Sequence, residues 1–243
     1  MTSAPATRRI VAMGGGGFSM EPGNPLLDDY VLALARTSRA VARPRIAFVA
    51  TASGDSADYI ARFYAAFEQR AEASHLALFD RTVTDVERYL VDQDVIYVGG
   101  GNTANLLAVW RVHGVDRAMR AAWEAGVVLA GLSAGSLCWF EAGTTDSFGS
   151  GQAVPLRDGL GFLTGSHCPH YDGEAARRPS YQALVAAGSL PAGSAADDGA
   201  ALVFEGDRLV EVVSSRPAAL AYRVEPGPNG GWVEQPLETR YLG

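Results

Sequence analysis

The sequence predicts an α/β protein: a mostly parallel central sheet with helices on both faces, closed by a C-terminal β-hairpin. Three observations predict it. Strand-like and helix-like segments alternate through roughly the first two thirds of the chain, the order that gives parallel sheets. The strand-like segments are short and almost wholly apolar, as strands buried on both faces must be. Two of them run straight into glycine-rich turns, "MGGGGFS" and "YVGGGN", the backbone type that lets a ligand approach the end of a sheet.

Taken in order, "RRIVAM" reads as a strand ending in glycines, and "NPLLDDYVLALARTSR" has helical spacing. "RIAFVAT" is a strand, and "SADYIARFYAAFEQRAEA" an amphipathic helix opened by a Ser or Asp cap. "HLALF" reads as a strand, "VTDVERYLVDQ" as a short helix and "DVIYVGGGN" as a strand. "TANLLAVWRV" and "VDRAMRAAWEAG" are helices, "VVLAGL" is a strand, and "AGSLCWFE" starts a helix. From about residue 143 the pattern becomes loop-rich with short strands. "RRPSYQALVAAG" is a helix there, "AALVFEGDRLVEVVSS" a hairpin turning at "EGD", and "ALAYRV" a further strand. "EPGPNGG" is an exposed loop. No repeat or Pro/Ser linker interrupts the chain, so residues 1–243 read as one domain.

Composition narrows the function classes. Of 243 residues, 48% are hydrophobic and 19% charged, which supplies a sizeable core and argues against disorder. The net charge of -7 argues against a nucleic-acid partner. Every basic residue is Arg, so an anionic group would meet a planar fork rather than an ammonium. Two cysteines, Cys138 and Cys168, make neither a disulfide framework nor a zinc site; both read as structural. The start "MTSAPATRR" lacks the apolar core of a signal peptide, and no stretch is long enough to span a bilayer. The expected setting is the cytoplasm, with no membrane partner.

Chemistry points to "LAGLSAGSLCWF", residues 129–140. Ser133 stands in Gly131-Leu132-Ser133-Ala134-Gly135, a G-x-S-x-G turn from strand to helix. Such a turn strains its central residue and holds the serine Oγ out at the carboxyl end of the sheet. The Ala134 amide then points at a developing oxyanion. A nucleophilic serine needs a base. His75 and His113 sit where structural histidines sit, whereas His167 and His170 lie in "SHCPHYD", after a strand. Asp146, between Ser133 and His170, is the first choice for the orienting acid, with Asp172 and Glu174 as alternatives. The second oxyanion amide comes from "YVGGGN", with Gly101 preferred over its neighbour Gly100. Trp139 and Phe140 read as core. "MGGGGFS" does not fit G-x-G-x-x-G, and no acid ends "RIAFVAT", so a dinucleotide site is not expected. An α/β-hydrolase would place its histidine late, yet none follows His170.

"VGGGNTANLL", "GLSAGSLCWFEAGTTDS" and "PHYDGE", in this order, resemble the peptidase E and cyanophycinase family of serine peptidases, from about residue 8 to about residue 225. The resemblance implies a class I glutamine amidotransferase-like fold, with Ser133 as nucleophile, His170 as base and the Gly101 and Ala134 amides as oxyanion hole. It places the third triad member, Asp or Glu, after the elbow helix, where Asp146 stands. The implied reaction is hydrolysis of dipeptides or short peptides at an N-terminal aspartate through an acyl-enzyme. A cyanophycinase-like or other small-amide hydrolase, or a non-catalytic binding module of the same fold, are the alternatives. The family's G-H-x-G-E-T-R-like aspartate-recognition segment is replaced here by "DGEAARRPSYQAL". Arg177 and Arg178 are therefore the candidates for gripping a substrate carboxylate, with Asn102 as a further substrate-binding residue. No metal or other cofactor is expected. The expected partner is a small peptide, and a homodimer is admitted.

Overall fold

The computed structural model describes residues 6–149 and 152–243. The chain runs β1 (Arg9–Met13), α1 (Gly17–Met20), α2 (Leu26–Arg39), β2 (Arg45–Val49), α3 (Ala57–Phe67), β3 (Glu72–Leu76), α4 (Val86–Val91) and β4 (Val95–Val98). It continues with α5 (Thr103–His113), α6 (Val115–Glu124), β5 (Val128–Leu132), α7 (Ala134–Leu137), β6 (Phe140–Thr145), β7 (Val154–Leu156) and β8 (Leu163–Cys168). The last part holds α8 (Arg177–Ala186), β9 (Gly193–Ala196), β10 (Ala200–Glu205), β11 (Arg208–Ser214), β12 (Ala221–Pro226), β13 (Trp232–Pro236) and β14 (Arg240–Tyr241).

Among the described residues these strands form an eight-stranded sheet, ordered β14-β11-β10-β1-β5-β4-β2-β3, and a six-stranded sheet, ordered β13-β12-β9-β8-β6-β7. In the first, β1, β5, β4, β2 and β3 are parallel neighbours, and the antiparallel hairpin β10–β11 joins at β1. The apolar runs are explained by burial on both faces. Ile10 and Ala12 of β1 enter one core with Leu106, Trp110 and Trp123, while Val11 and Met13 enter the other with Leu32, Phe63 and Phe67. Phe48 and Phe63 stack at 4.9 Å in that second core, and burying each such ring stabilises the fold by roughly 1.5–3 kcal/mol. No helix among the described residues is long and apolar enough to cross a membrane.

The expected elements largely stand, with three differences. The strand expected at "HLALF" is β3, "EASHL", because α3 stops at Phe67 and Glu72 pairs with Arg45 at the head of β2. The helix expected from "AGSLCWFE" is the single turn α7: the Trp139 carbonyl takes the amides of Phe162 and Leu163, and Phe140 opens β6. The loop-rich region is a second sheet, not a set of isolated strands. Its strands are short and carry Gly, Ser and Thr, so they show no apolar run to betray them. The hairpin turns at Gly206-Asp207 as expected, with Glu205 opposite Arg208.

Candidate active site

Ser133 follows β5 directly, with φ 55° and ψ -117°. That left-handed backbone is costly for a non-glycine residue and persists because the surroundings fix it. A Cβ at Gly131 would lie 2.2 Å from the Gly135 carbonyl oxygen, and one at Gly135 would lie 2.2 Å from that of Val98. Both flanking positions of the elbow therefore admit only glycine. Ser133 is partly exposed, and its Oγ has no hydrogen-bond partner among the described residues.

The neighbouring strand ends supply the rest. At the end of β4 the Gly100 amide donates to the Tyr59 hydroxyl at 3.2 Å and is taken. The Gly101 amide donates to nothing among the described residues, and neither does that of Ala134 at the start of α7. Gly101 has φ 136°, and a Cβ there would meet the Ala52 carbonyl oxygen at 2.3 Å. Gly101 and Ala134 thus each keep an amide without a partner among the described residues, whereas the Gly100 amide is bound to Tyr59. On the other side of β5, the end of β1 anchors two backbones at once. The Ser133 N–H donates to the Met13 carbonyl at 3.3 Å and the His170 N–H to the Gly14 carbonyl at 3.2 Å. Serine and histidine hang from consecutive residues.

His170 also has φ 55°. Its Nδ1 lies 2.6 Å from Oδ1 of Asp198, and both side chains are 13% exposed. Asp198 sits in the turn by which the chain passes from β9 in the second sheet to β10 in the first. This corrects the expectation for Asp146. Asp146 is held by the Arg177 guanidinium at 3.4 Å and is not the carboxylate on the histidine. The alternatives are taken as well: Asp172 accepts the Asp198 backbone amide at 2.7 Å, and Glu174 accepts from Arg177 Nε at 2.6 Å. The sequence offered one signal for Asp198, an acidic pair before glycine in "SAADDGAALVF", between strands.

The proposed substrate-binding residues are also occupied. Arg177 is 5% exposed, and its fork serves Glu174, Asp146 and the Thr144 carbonyl at 3.2 Å. Arg178 pairs with Glu234 and lies over the rings of Tyr171 at 5.2 Å and Tyr222 at 4.8 Å. Asn102 caps α5 by accepting the Asn105 amide at 2.8 Å and donates its own amide to the Ser147 carbonyl at 2.9 Å. The polar groups of Arg177 and Asn102 are thus engaged by protein partners, whereas Arg178 is paired with Glu234 on one side of its fork and stays partly exposed.

His167 is the other half of the histidine pair and is fully buried. It stacks on Phe140 at 4.6 Å, its Nδ1 is 3.0 Å from the Ser194 carbonyl, and its Nε2 is 3.1 Å from Ser136 Oγ. A carbonyl only accepts, so Nδ1 carries the proton, and the single Ser136 hydroxyl proton is shared between Nε2 and the Ser133 carbonyl at 2.9 Å. Burial pushes this ring down to about 4, so it stays neutral behind the elbow. Burial likewise raises both thiols, Cys168 to about 12, which keeps them inert. His75 and His113 pair with Tyr64 and Arg81. Among the described residues no three His, Cys, Asp or Glu side chains converge as metal ligands would.

A strained serine at the carboxyl end of a parallel sheet, free amides on either side and a histidine–carboxylate pair anchored beside it define a hydrolase-type site. The model of peptidase family S51 matches residues 10–212, and the chain belongs to that family. It is 52% identical over 237 residues to the uncharacterized peptidase YgaJ of Bacillus subtilis (strain 168), covering 97% of this chain and all of that one. Its fold is similar to the crystal structure of a peptidase from an acI-B1 Actinobacterium, with a TM-score of 0.70 and 18% identity, over 97% of this chain and 96% of that one. A putative peptidase E protein from Listeria monocytogenes EGD-e aligns with a TM-score of 0.58 and 18% identity, over 84% of this chain and 98% of that one. The protein is thus an α/β peptidase.

Proposed function

We propose that this peptidase is of the serine type and cleaves dipeptides or short peptides through an acyl-enzyme, with Ser133, His170 and Asp198 as its triad. His170 Nε2 takes the proton of Ser133 Oγ as that oxygen attacks the peptide carbonyl carbon. The tetrahedral oxyanion rests on the Gly101 and Ala134 amides. His170 returns the proton to the leaving amine, the C–N bond breaks, and water hydrolyses the ester by the same route in reverse. Asp198 keeps the proton of the ring on Nδ1, so that Nε2 is the basic nitrogen. The observation that carries this reading is the 2.6 Å contact between His170 and Asp198, beside a serine with a free hydroxyl.

An N-terminal aspartate is the substrate feature that the family resemblance favours. The engagement of Arg177 and Arg178 with Glu174, Asp146 and Glu234 favours a second reading, a small-amide or β-aspartyl hydrolase that does not grip a P1 carboxylate with those residues. A panel of Asp-X, Glu-X, β-aspartyl and neutral dipeptides, run with Ser133→Ala beside the wild type, decides between them. Cleavage of Asp-X alone, lost in the variant, supports the first. Cleavage confined to β-aspartyl or neutral amides supports the second, and turnover by Ser133→Ala removes both.

A further inference from the structure

We propose that Gly15 and Gly173 are positioning residues that set the carboxylate of Asp198 and, through it, the ring of His170. The inference rests on the triad reading above. It accounts for two features left over from the sequence, the glycine run after β1 and the glycine of "PHYDGE".

Neither glycine is required by its backbone. Gly16 and Gly17 have positive φ, at 109° and 56°, whereas Gly15 and Gly173 do not. What they provide is room. A Cβ on Gly15 would lie 2.1 Å from Asp198 Oδ1, and a Cβ on Gly173 would lie 2.2 Å from Asp198 Oδ2. At Gly173 the three nearest atoms, Oδ2, Cγ and Oδ1, all belong to Asp198. Each carboxylate oxygen therefore lies against one glycine, and Oδ1 is the oxygen bound to His170 Nδ1.

The backbone around the carboxylate is tied to the same two loops. Gly15 forms a β-bridge with Asp198, and its carbonyl accepts the Gly199 amide at 3.0 Å. Asp172, next to Gly173, accepts the Asp198 amide at 2.7 Å. With the main chain held, an added methyl on either glycine is relieved by moving the carboxylate. Gly14 differs, since a Cβ there would strike the backbone oxygens of Ala196 at 2.3 Å and Asp197 at 2.4 Å. Gly14 is required by the fold, and Gly15 by the placing of one side chain. The other atom near a Gly15 methyl is Met20 Sδ at 2.9 Å, the far end of a half-exposed side chain that accepts the Gly16 amide at 3.3 Å.

The test is a double-mutant cycle on the full chain with Gly15→Ala, Gly173→Ala, Asp198→Ala and the two pairings. The readouts are the rate at which a fluorophosphonate probe labels Ser133 and the strongly deshielded Nδ1 proton of His170 in NMR spectra, with thermal melting as the control for folding. Each glycine variant should slow labelling by about 10- to 100-fold, as a displacement near 1 Å does, and should lose the deshielded proton. In the Asp198→Ala background the obstructing oxygens are gone, so each should change the rate by less than about twofold. Wild-type labelling by both glycine variants, with Asp198→Ala slow, overturns the inference and leaves the triad standing. Full additivity with Asp198→Ala overturns it too, since the glycines then act by another route. Labelling of Asp198→Ala at the wild-type rate overturns the triad reading and the inference with it. Should Gly15→Ala fail to fold, Gly173→Ala, in an exposed turn, carries the test.

Discussion

His170 Nδ1 lies 2.6 Å from Asp198 Oδ1, across a gap of 28 residues in sequence, while Asp146 is bound to Arg177. The pair joins the loop after β8 to the turn between the two sheets. Asp198→Asn should therefore lower kcat by on the order of 10^3- to 10^4-fold, because the amide favours the wrong tautomer of the ring. Asp146→Asn should lower it less than about tenfold, as an outer contact of a half-exposed ion pair does. Steady-state rates of the two variants on one cleaved dipeptide check this.

Arg177 should behave as a structural residue. Its guanidinium is buried and tied to Glu174, Asp146 and the Thr144 carbonyl. Arg177→Met should cost about 1–3 kcal/mol in stability, seen as a lower urea midpoint. The KM for a cleaved dipeptide should stay near the wild-type value. A KM raised by about a hundredfold with unchanged stability would restore Arg177 as a substrate clamp.

His167 should make the protein sensitive to acid. Burial lowers its pKa to about 4, so the unfolded chain takes up the proton first as pH falls. Its contribution is complete above about pH 6.5 and is lost as pH drops toward 4, for a total of about 3 kcal/mol. Urea unfolding at a series of pH values should show that slope in the wild type, and His167→Gln should flatten it.

Asp28 should act in the opposite direction. It is buried against the Tyr97 hydroxyl at 3.2 Å, and burial raises its pKa to about 7. The folded state holds this proton more tightly, so the contribution of Asp28 is complete below about pH 4 and is lost as pH rises through 7. Asp28→Asn should be more stable than the wild type by roughly 2–4 kcal/mol at pH 8, with the gain gone at pH 4. Equal midpoints at pH 8 would show that the carboxylate is relieved by another route.

The parts of the fold that were legible in the sequence are those governed by local pattern. Apolar runs such as "RIAFV" and "VIYV" marked doubly buried strands, and Gly206-Asp207 marked a hairpin. The elbow was legible because Gly131, Ser133 and Gly135 meet a steric demand within five residues. The glycine turn at Gly101 was legible for the same reason, while the engagement of the Gly100 amide by the Tyr59 hydroxyl was not. The second sheet was hidden because strands such as "GSAA" and "LTGSHC" have no periodic apolar signal. Asp198 was hidden because its partner is set by the packing of two sheets. Proximity in sequence pointed instead to Asp146, which an arginine on α8 had already claimed.

The most direct test of the central claim is fluorophosphonate labelling of the wild type, Ser133→Ala, Asp198→Asn and Asp146→Asn, with the modified residue located by mass spectrometry. The account expects a single adduct on Ser133, none in Ser133→Ala, strongly slowed labelling in Asp198→Asn and near-normal labelling in Asp146→Asn. An adduct on another residue, or slow labelling in Asp146→Asn with Asp198→Asn unaffected, would contradict it.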